Sequence, residues 1–257
     1  MSPGGVNFSF SHDLWEARAV QVSLLHLSNE LIQCIPEYLD SEQDISAFSR
    51  TSLRLHYLLN SYLYRHNVEL FRGSALLWAS EHGEEAAAQK SLREGANSQV
   101  TTNEGWTPLL LAATKGHGQV VELFLAQDGI YPDSDGRLYD GRTPLSRAAE
   151  NGHETVTKLL LARADIDPDW ADRFGRTPLY RAAQNGYNTV AELLLAMDGA
   201  RPDCEDKFGQ TPLSMASANG YRAVAELLLT NGGVNRDAKN SNGRTPLSWA
   251  AGTGERR

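Results

Sequence analysis

The stretch GRTPLYRAAQNGYNTVAELLL, residues 175–195, decides the fold, because most of it is written again at 141–161 as GRTPLSRAAENGHETVTKLLL. Its opening string G-x-T-P-L stands at Gly105, Gly141, Gly175, Gly209 and Gly243, at intervals of 36, 34, 34 and 34 residues. Ser74-Ala75-Leu76 lies 33 residues before Thr107-Pro108-Leu109, so an earlier unit is present without the Thr-Pro. Units therefore begin near 74, 107, 143, 177 and 211, and a truncated one begins at Thr245. A fixed period of this length marks an array of small units, none of which can bury its apolar face alone.

Each unit reads as a helix pair. Thr107, Thr143, Thr177, Thr211 and Thr245 can cap a helix with the side-chain hydroxyl, each worth about 1 kcal/mol. The Pro that follows occupies the first helical position, where its missing N–H costs nothing. Leu145, Ala148 and Ala149 then give one apolar face, and the two alanines admit a close neighbour. Gly116, Gly152, Gly186 and Gly220 stop this helix. The second helix carries Val156, Leu159, Leu160 and Leu161, repeated as Val190, Leu193, Leu194 and Leu195, with Glu154 and Lys158 spaced for an i, i+4 pair outside. The links, such as GARPDCEDKFG, are short and polar and predict a turn or hairpin.

This pattern resembles the ankyrin repeat, whose signature has a period near 33 and the string T-P-L-H-x-A. The resemblance covers about 72–257 and implies an elongated array that binds other proteins. The His of the signature is replaced by Leu110, Ser146, Tyr180, Ser214 and Ser248, so its bonds to neighbouring turns must be lost or remade. Lys90 and Ser91 replace a Leu pair in the first unit, which predicts a wetter face there. Two extra residues in YPDSDGRLYDG, 131–141, predict a longer hairpin after the second unit. The sixth unit lacks a second helix, so Leu247 and Ala250 lose their cover and 245–257 is expected to fray.

The N-terminal text is different. Residues 1–24 read as a poorly ordered lead-in, and 25–70 as three short helices, with stripes Leu27/Leu31/Ile35/Leu39, Ile45/Phe48/Leu53 and Leu55/Leu58/Leu59/Leu63. Some 45 residues make a small core that a partner helix would complete. The segment resembles an F-box through Leu27, Glu30, Leu31, Ile35, Tyr38, Leu39, Asp40, Asp44, Ile45, Phe48 and Leu55. An F-box followed by ankyrin repeats resembles a group of proteins common in filamentous fungi. The resemblance implies docking on the Skp-type adaptor of a cullin ubiquitin ligase, through Leu27, Glu30, Leu31, Ile35, Leu39, Ile45 and Phe48. Ser28 stands where the family usually has Pro, and Pro36 predicts a kink late in the first helix. The expected fold is all-α: a three-helix F-box-like module, then an ankyrin-repeat solenoid of helix pairs joined by hairpin turns.

Composition narrows the function. The chain has 257 residues, 41% of them hydrophobic, and a formal charge of -8, which argues against nucleic-acid and anionic-membrane binding. Cys34 and Cys204 stand apart from each other and from any Cys/His cluster, which points away from zinc and disulfides and toward a reducing compartment. No apolar run approaches membrane-spanning length and no basic-then-apolar leader opens the chain, so a cytoplasmic protein is expected, with nuclear entry open. Phosphate-loop, nucleophile-elbow, metalloprotease and dinucleotide motifs are absent, so no enzyme and no cofactor is expected. His117 and His153 follow the inter-helix Gly, where Tyr187 and Tyr221 stand in later units, and read as turn-packing residues.

Candidate contacts are the positions the repeat leaves free. In ankyrin proteins ligands meet the hairpin tips and the inner face of the first helices. Carried over, this selects Trp106, Arg142, Arg176, Gln210 and Arg244 before each Thr, with Tyr139, Phe174 and Phe208 close ahead of the Gly. It also selects Lys115, Asn151, Asn185 and Asn219 near the inter-helix turn, and Arg147 and Arg181 about one helical turn along. Aromatic and Arg residues dominate many interfaces. One reading is that the arginines receive an acidic or phosphorylated segment of an unidentified target protein. The other is that they are solvated or paired with Asp172, Asp206 and Glu150.

Overall fold

The computed structural model describes residues 73–127, 129–133 and 140–254. The F-box-like segment 25–70, the lead-in 1–24 and most of the lengthened link lie outside the described residues. The described residues form eleven helices and no strand: α1 Ser74–His82, α2 Glu85–Arg93, α3 Pro108–Lys115, α4 Gly118–Leu125, α5 Pro144–Asn151, α6 Glu154–Leu161, α7 Pro178–Asn185, α8 Asn188–Leu195, α9 Pro212–Asn219, α10 Arg222–Thr230 and α11 Pro246–Gly254. Each odd helix from α1 to α9 packs on the even helix that follows it and on the odd helix of the next unit.

The starts of the first helices are set by the chemistry read from the sequence. Thr107, Thr143, Thr177 and Thr211 accept from the backbone N–H of Leu110, Ser146, Tyr180 and Ser214 at 3.2 Å, and Thr245 accepts from Ser248 at 3.3 Å. The core is continuous. Leu145, Ala148 and Ala149 are fully buried in α5, and Val156 and Leu160 are fully buried in α6.

The stop of each first helix doubles as a joint. Gly152 has φ 73°, and a Cβ there would lie 2.5 Å from the Tyr187 ring of the next unit. Gly83 faces His117, Gly116 faces His153 and Gly186 faces Tyr221 in the same way. His117 and His153 also reach the carbonyls of Glu81 and Thr114 with Nε2 at 3.0 and 2.9 Å. A carbonyl only accepts, so each imidazole carries its proton on Nε2. These residues are packing groups, as the register suggests.

Two further ladders tie the units. Asp133, Asp169 and Asp203 follow a Pro at equivalent places, and their carboxylates accept the backbone N–H of Asp167, Arg201 and Asn235 in the next unit. The turns before each first helix close on themselves and on their neighbours. Asp172 N bonds Arg176 O at 3.0 Å, and Asp206 N bonds Gln210 O at 3.0 Å. Arg173 N, Lys207 N and Ser241 N donate to Asp140 O, Phe174 O and Phe208 O of the unit before, each at 2.9 Å. The hairpins are thus single-rung turns, too short for strand pairing.

Two expectations need correction. Ser91 is 1% exposed at the position that Phe124 fills in the next unit, so the first unit is thinner there and dry. Glu154 and Lys158 make no ion pair; at the same register Arg222 and Glu226 do, at 2.6 Å. Exposed pairs of long side chains gain too little to fix one geometry.

α11 is helical to Gly254, yet Leu247 is 76% exposed. Hydrogen exchange by mass spectrometry is expected to find peptides from 246–254 exchanging much faster than those of α5 and α7, since Leu247, Ser248 and Ala250 are exposed where their counterparts in α5 are buried. Protection equal to that of α7 would contradict this.

Candidate protein-binding face

The face built by α1, α3, α5, α7, α9, α11 and the turns before them carries the residues selected above. Its centre is an ion network. Arg142 pairs with Glu150 at 2.5 Å, Asp140 at 3.2 Å and Asp172 at 3.7 Å. Arg147 pairs with Asp140 at 2.7 Å and Glu150 at 3.5 Å. Arg181, only 3% exposed, pairs with Asp172 at 2.5 Å and Glu150 at 3.4 Å. Arg176 lies 3.7 Å from Asp206. Four arginines thus face four carboxylates, the pairing anticipated as the alternative to an acidic ligand. Burial lowers the Arg147 pKa, its carboxylate neighbours opposing this.

Asp140 was not picked out from the sequence. Arg173 N bonds its carbonyl as Lys207 N bonds that of Phe174, so Asp140, and not Tyr139, is the counterpart of Phe174. Tyr139 itself lies outside the described residues. The sequence carries the same register, since Asp140 stands three residues before Thr143 as Phe174 does before Thr177.

The turns are held by the residue five before the helix cap position. Asp172 Oδ1 accepts from Phe174 and Arg176 N–H at 2.8 and 3.0 Å, and Asp206 Oδ1 from Phe208 and Gln210 at 2.9 Å. Asn240 Oδ1 does the same for Asn242 and Arg244 at 3.0 and 2.9 Å. Thr102 Oγ1 receives Trp106 N–H at 3.1 Å. Local side-chain acceptors of this kind are what favour Asp and Asn in turns.

The asparagines have structural partners. Asn185 Nδ2 donates to the carbonyls of Glu150 and Arg181 at 3.1 Å, and Asn219 Nδ2 to that of Gln184 at 2.9 Å. Asn151 Nδ2 donates to Arg147 O within its own helix. They satisfy open helix ends that would otherwise cost free energy.

The signature His is replaced in four ways, the first being Leu110, apolar and fully buried. Ser214 and Ser248 turn their hydroxyls to the carbonyls of Thr211 and Thr245, and buried Ser146 Oγ has no partner. Tyr180, fully buried, donates its hydroxyl to Asp206 Oδ2 at 2.9 Å, with Gln210 Oε1 at 3.3 Å. Burial first, and then the Asp206 charge, push its pKa above the usual 10. Because the folded value is the higher, the stability from this neutral hydroxyl is intact below pH 10 and lost as pH rises through the folded value. An alkaline titration read by tyrosinate absorbance is expected to leave Tyr180 un-ionised after exposed tyrosines have titrated. In Tyr180→Phe the delayed fraction should vanish.

What remains exposed is aromatic and cationic. Phe174 is 38% and Phe208 56% exposed, and Lys115 and Arg244 are exposed. The guanidinium of Arg147 lies over Trp106 at 4.7 Å, that of Arg176 over Phe174 at 5.2 Å, and that of Arg244 over Trp249 at 4.7 Å. Trp78, Leu111, Met215 and Trp249 share the register of Arg147 and Arg181 and were missed, although extending that register would have found them. Trp78 is 53% exposed and stacks on His82 at 4.6 Å. Among the described residues no His/Cys/Asp/Glu group is arranged to hold a metal, and no helix is long and apolar enough to cross a membrane. Cys204 is a free thiol whose pKa burial raises, the opposite of an activated nucleophile.

Comparison with known proteins adds the family. The family model described as ankyrin repeats matches three times, at 47–136, 131–206 and 195–256. The first match begins inside 25–70, and no F-box match accompanies it. No curated protein matches the chain. With these matches over most of its length and the helix pairs that carry them, the chain belongs to the ankyrin-repeat family, a protein–protein interaction fold.

Proposed function

We propose that the chain is a non-enzymatic substrate-recognition subunit of a Skp-cullin-F-box ubiquitin ligase. The helices read at 25–70 dock on the Skp-type adaptor, and the ankyrin array holds the target. The chain makes and breaks no bond. Its contribution is proximity, which raises the effective concentration of target lysines near the charged enzyme. The target half of this reading is supported by one observation above all: exposed aromatic rings and cations sit on a face whose central arginines are paired with its own carboxylates. The adaptor half is supported by the residues Leu27, Leu31, Ile35, Leu39, Ile45 and Phe48 and by their place ahead of the repeats.

A second reading has its own support. The first ankyrin match starts at 47, within the segment read as an F-box, which favours a plain ankyrin scaffold with a relict docking module. Calorimetry of the full chain with a purified Skp-type adaptor separates the two. The ligase reading expects binding that Leu31→Ala and Leu39→Ala each weaken. No heat of binding in wild type, or wild type and variants alike, leaves the scaffold.

A further inference from the structure

We propose that the turn tips and first helices of the last three units, from Arg173 to Trp249, receive an acidic segment of another protein that carries apolar side chains. This rests on the reading that the first-helix face holds a target and names the target's chemistry and place. The first argument is how charge is sorted along the face. In the middle, Arg142, Arg147 and Arg181 are already matched by Asp140, Glu150 and Asp172, so a carboxylate arriving there would have to displace one in place. Toward the C-terminal end the matching stops. Among the described residues no carboxylate lies within ion-pair distance of Lys207 or Arg244.

The reason is one residue. The turns that open α7 and α9 are held by Asp172 and Asp206, but the turn that opens α11 is held by Asn240. Asn240 makes the same two backbone bonds without a negative charge, and Arg244 is left unmatched. At the opposite end Glu81 and Glu104 have no cation within ion-pair distance among the described residues, with Lys115 as the exposed cation nearby in register. Glu205 stands exposed on the Lys207 turn, whereas the turn at 239–244 that carries Arg244 has no acidic residue, so an acidic chain is drawn above all to that last turn.

Apolar surface coincides with the unmatched cations. The tips bearing Phe174 and Phe208 are consecutive, joined by Lys207 N to Phe174 O, and both rings are exposed. Exposed aromatic rings beside Arg are the composition of binding hot spots. Lys207 and Arg244 sit on separate turns and do not converge as a phosphate-binding cluster does. Spaced carboxylates fit them better than one phosphate.

The test selects twelve-residue peptides displayed on phage against the full chain. The expected winners are net negative and carry aromatic or aliphatic residues. A synthetic copy of the winner, followed by fluorescence anisotropy, should bind at least about tenfold more weakly to the Lys207→Glu, Arg244→Glu double variant. Phe208→Ala should also weaken it, added salt should weaken it, and Lys158→Glu, at an exposed position of α6 outside the face, should leave it unchanged. Circular dichroism checks that each variant is folded; these positions are exposed, and Phe208→Ala carries no charge change. No enrichment, enrichment of neutral or basic peptides, dependence on phosphoserine, or a double variant within twofold of wild type overturns the inference. Winners lost only on changes at Trp78 or Trp106 overturn it too, while leaving the array a target binder.

Discussion

Asp172→Ala is expected to destabilise the array by about 3–5 kcal/mol, the range for breaking a buried ion pair by removing one partner. Its side chain is 0% exposed and pairs with Arg181, itself at 3%. It also accepts the N–H groups of Phe174 and Arg176, each of which costs about 1–3 kcal/mol when left buried without a partner. Urea unfolding followed by far-ultraviolet circular dichroism reads the loss. Asp172→Asn should cost less, because Asn240 shows that an amide holds this turn. Adding Arg181→Met to Asp172→Asn should recover part of the loss by removing the stranded charge. Asp172→Ala within about 0.5 kcal/mol of wild type, as at a neutral surface site, would contradict the network.

Gly152→Ala is expected to cost about 2–5 kcal/mol, combining left-handed backbone strain of about 1–2 kcal/mol with overpacking of about 1–3 kcal/mol. Its φ is 73°, and the added methyl would meet the Tyr187 ring at 2.5 Å. The two parts are separable. In a Tyr187→Ala background the clash is gone and only the strain remains, so the two changes together should cost less than their sum. Strict additivity would show that the joint between units is not made here.

Much of the array was legible because its signals are local. A Thr cap, a Pro at the first helical position and a Gly at the stop each act within a few residues, and all five Thr caps form as read. What stayed hidden acts between units. Arg181 reaches Glu150, and Asn185 reaches the Glu150 carbonyl, across 31 and 35 residues, so the sequence left the arginine pairing as one of two readings and gave no sign of the asparagine's. The clips made by Asp133, Asp169 and Asp203 had a signal, the Pro-Asp at 132–133, 168–169 and 202–203, whose use appears only when the units are stacked. Asp140 had a signal too, since it stands directly before Gly141 as Phe174 stands before Gly175, one position on from Tyr139. The exposed pair Glu154/Lys158 was over-read, since spacing permits such a pair without enforcing it.

The function proposed for the chain is a bridge between two proteins, and a bridge is tested by capture through both ends at once. Immobilised Skp-type adaptor is incubated with the acidic peptide selected above, with and without the full chain. The account predicts that peptide is retained only when the chain is present. Leu31→Ala with Leu39→Ala should remove chain and peptide together, whereas Lys207→Glu with Arg244→Glu should remove the peptide and leave the chain bound. Peptide and adaptor that each bind the chain but never at the same time, or an adaptor that retains neither, would contradict it.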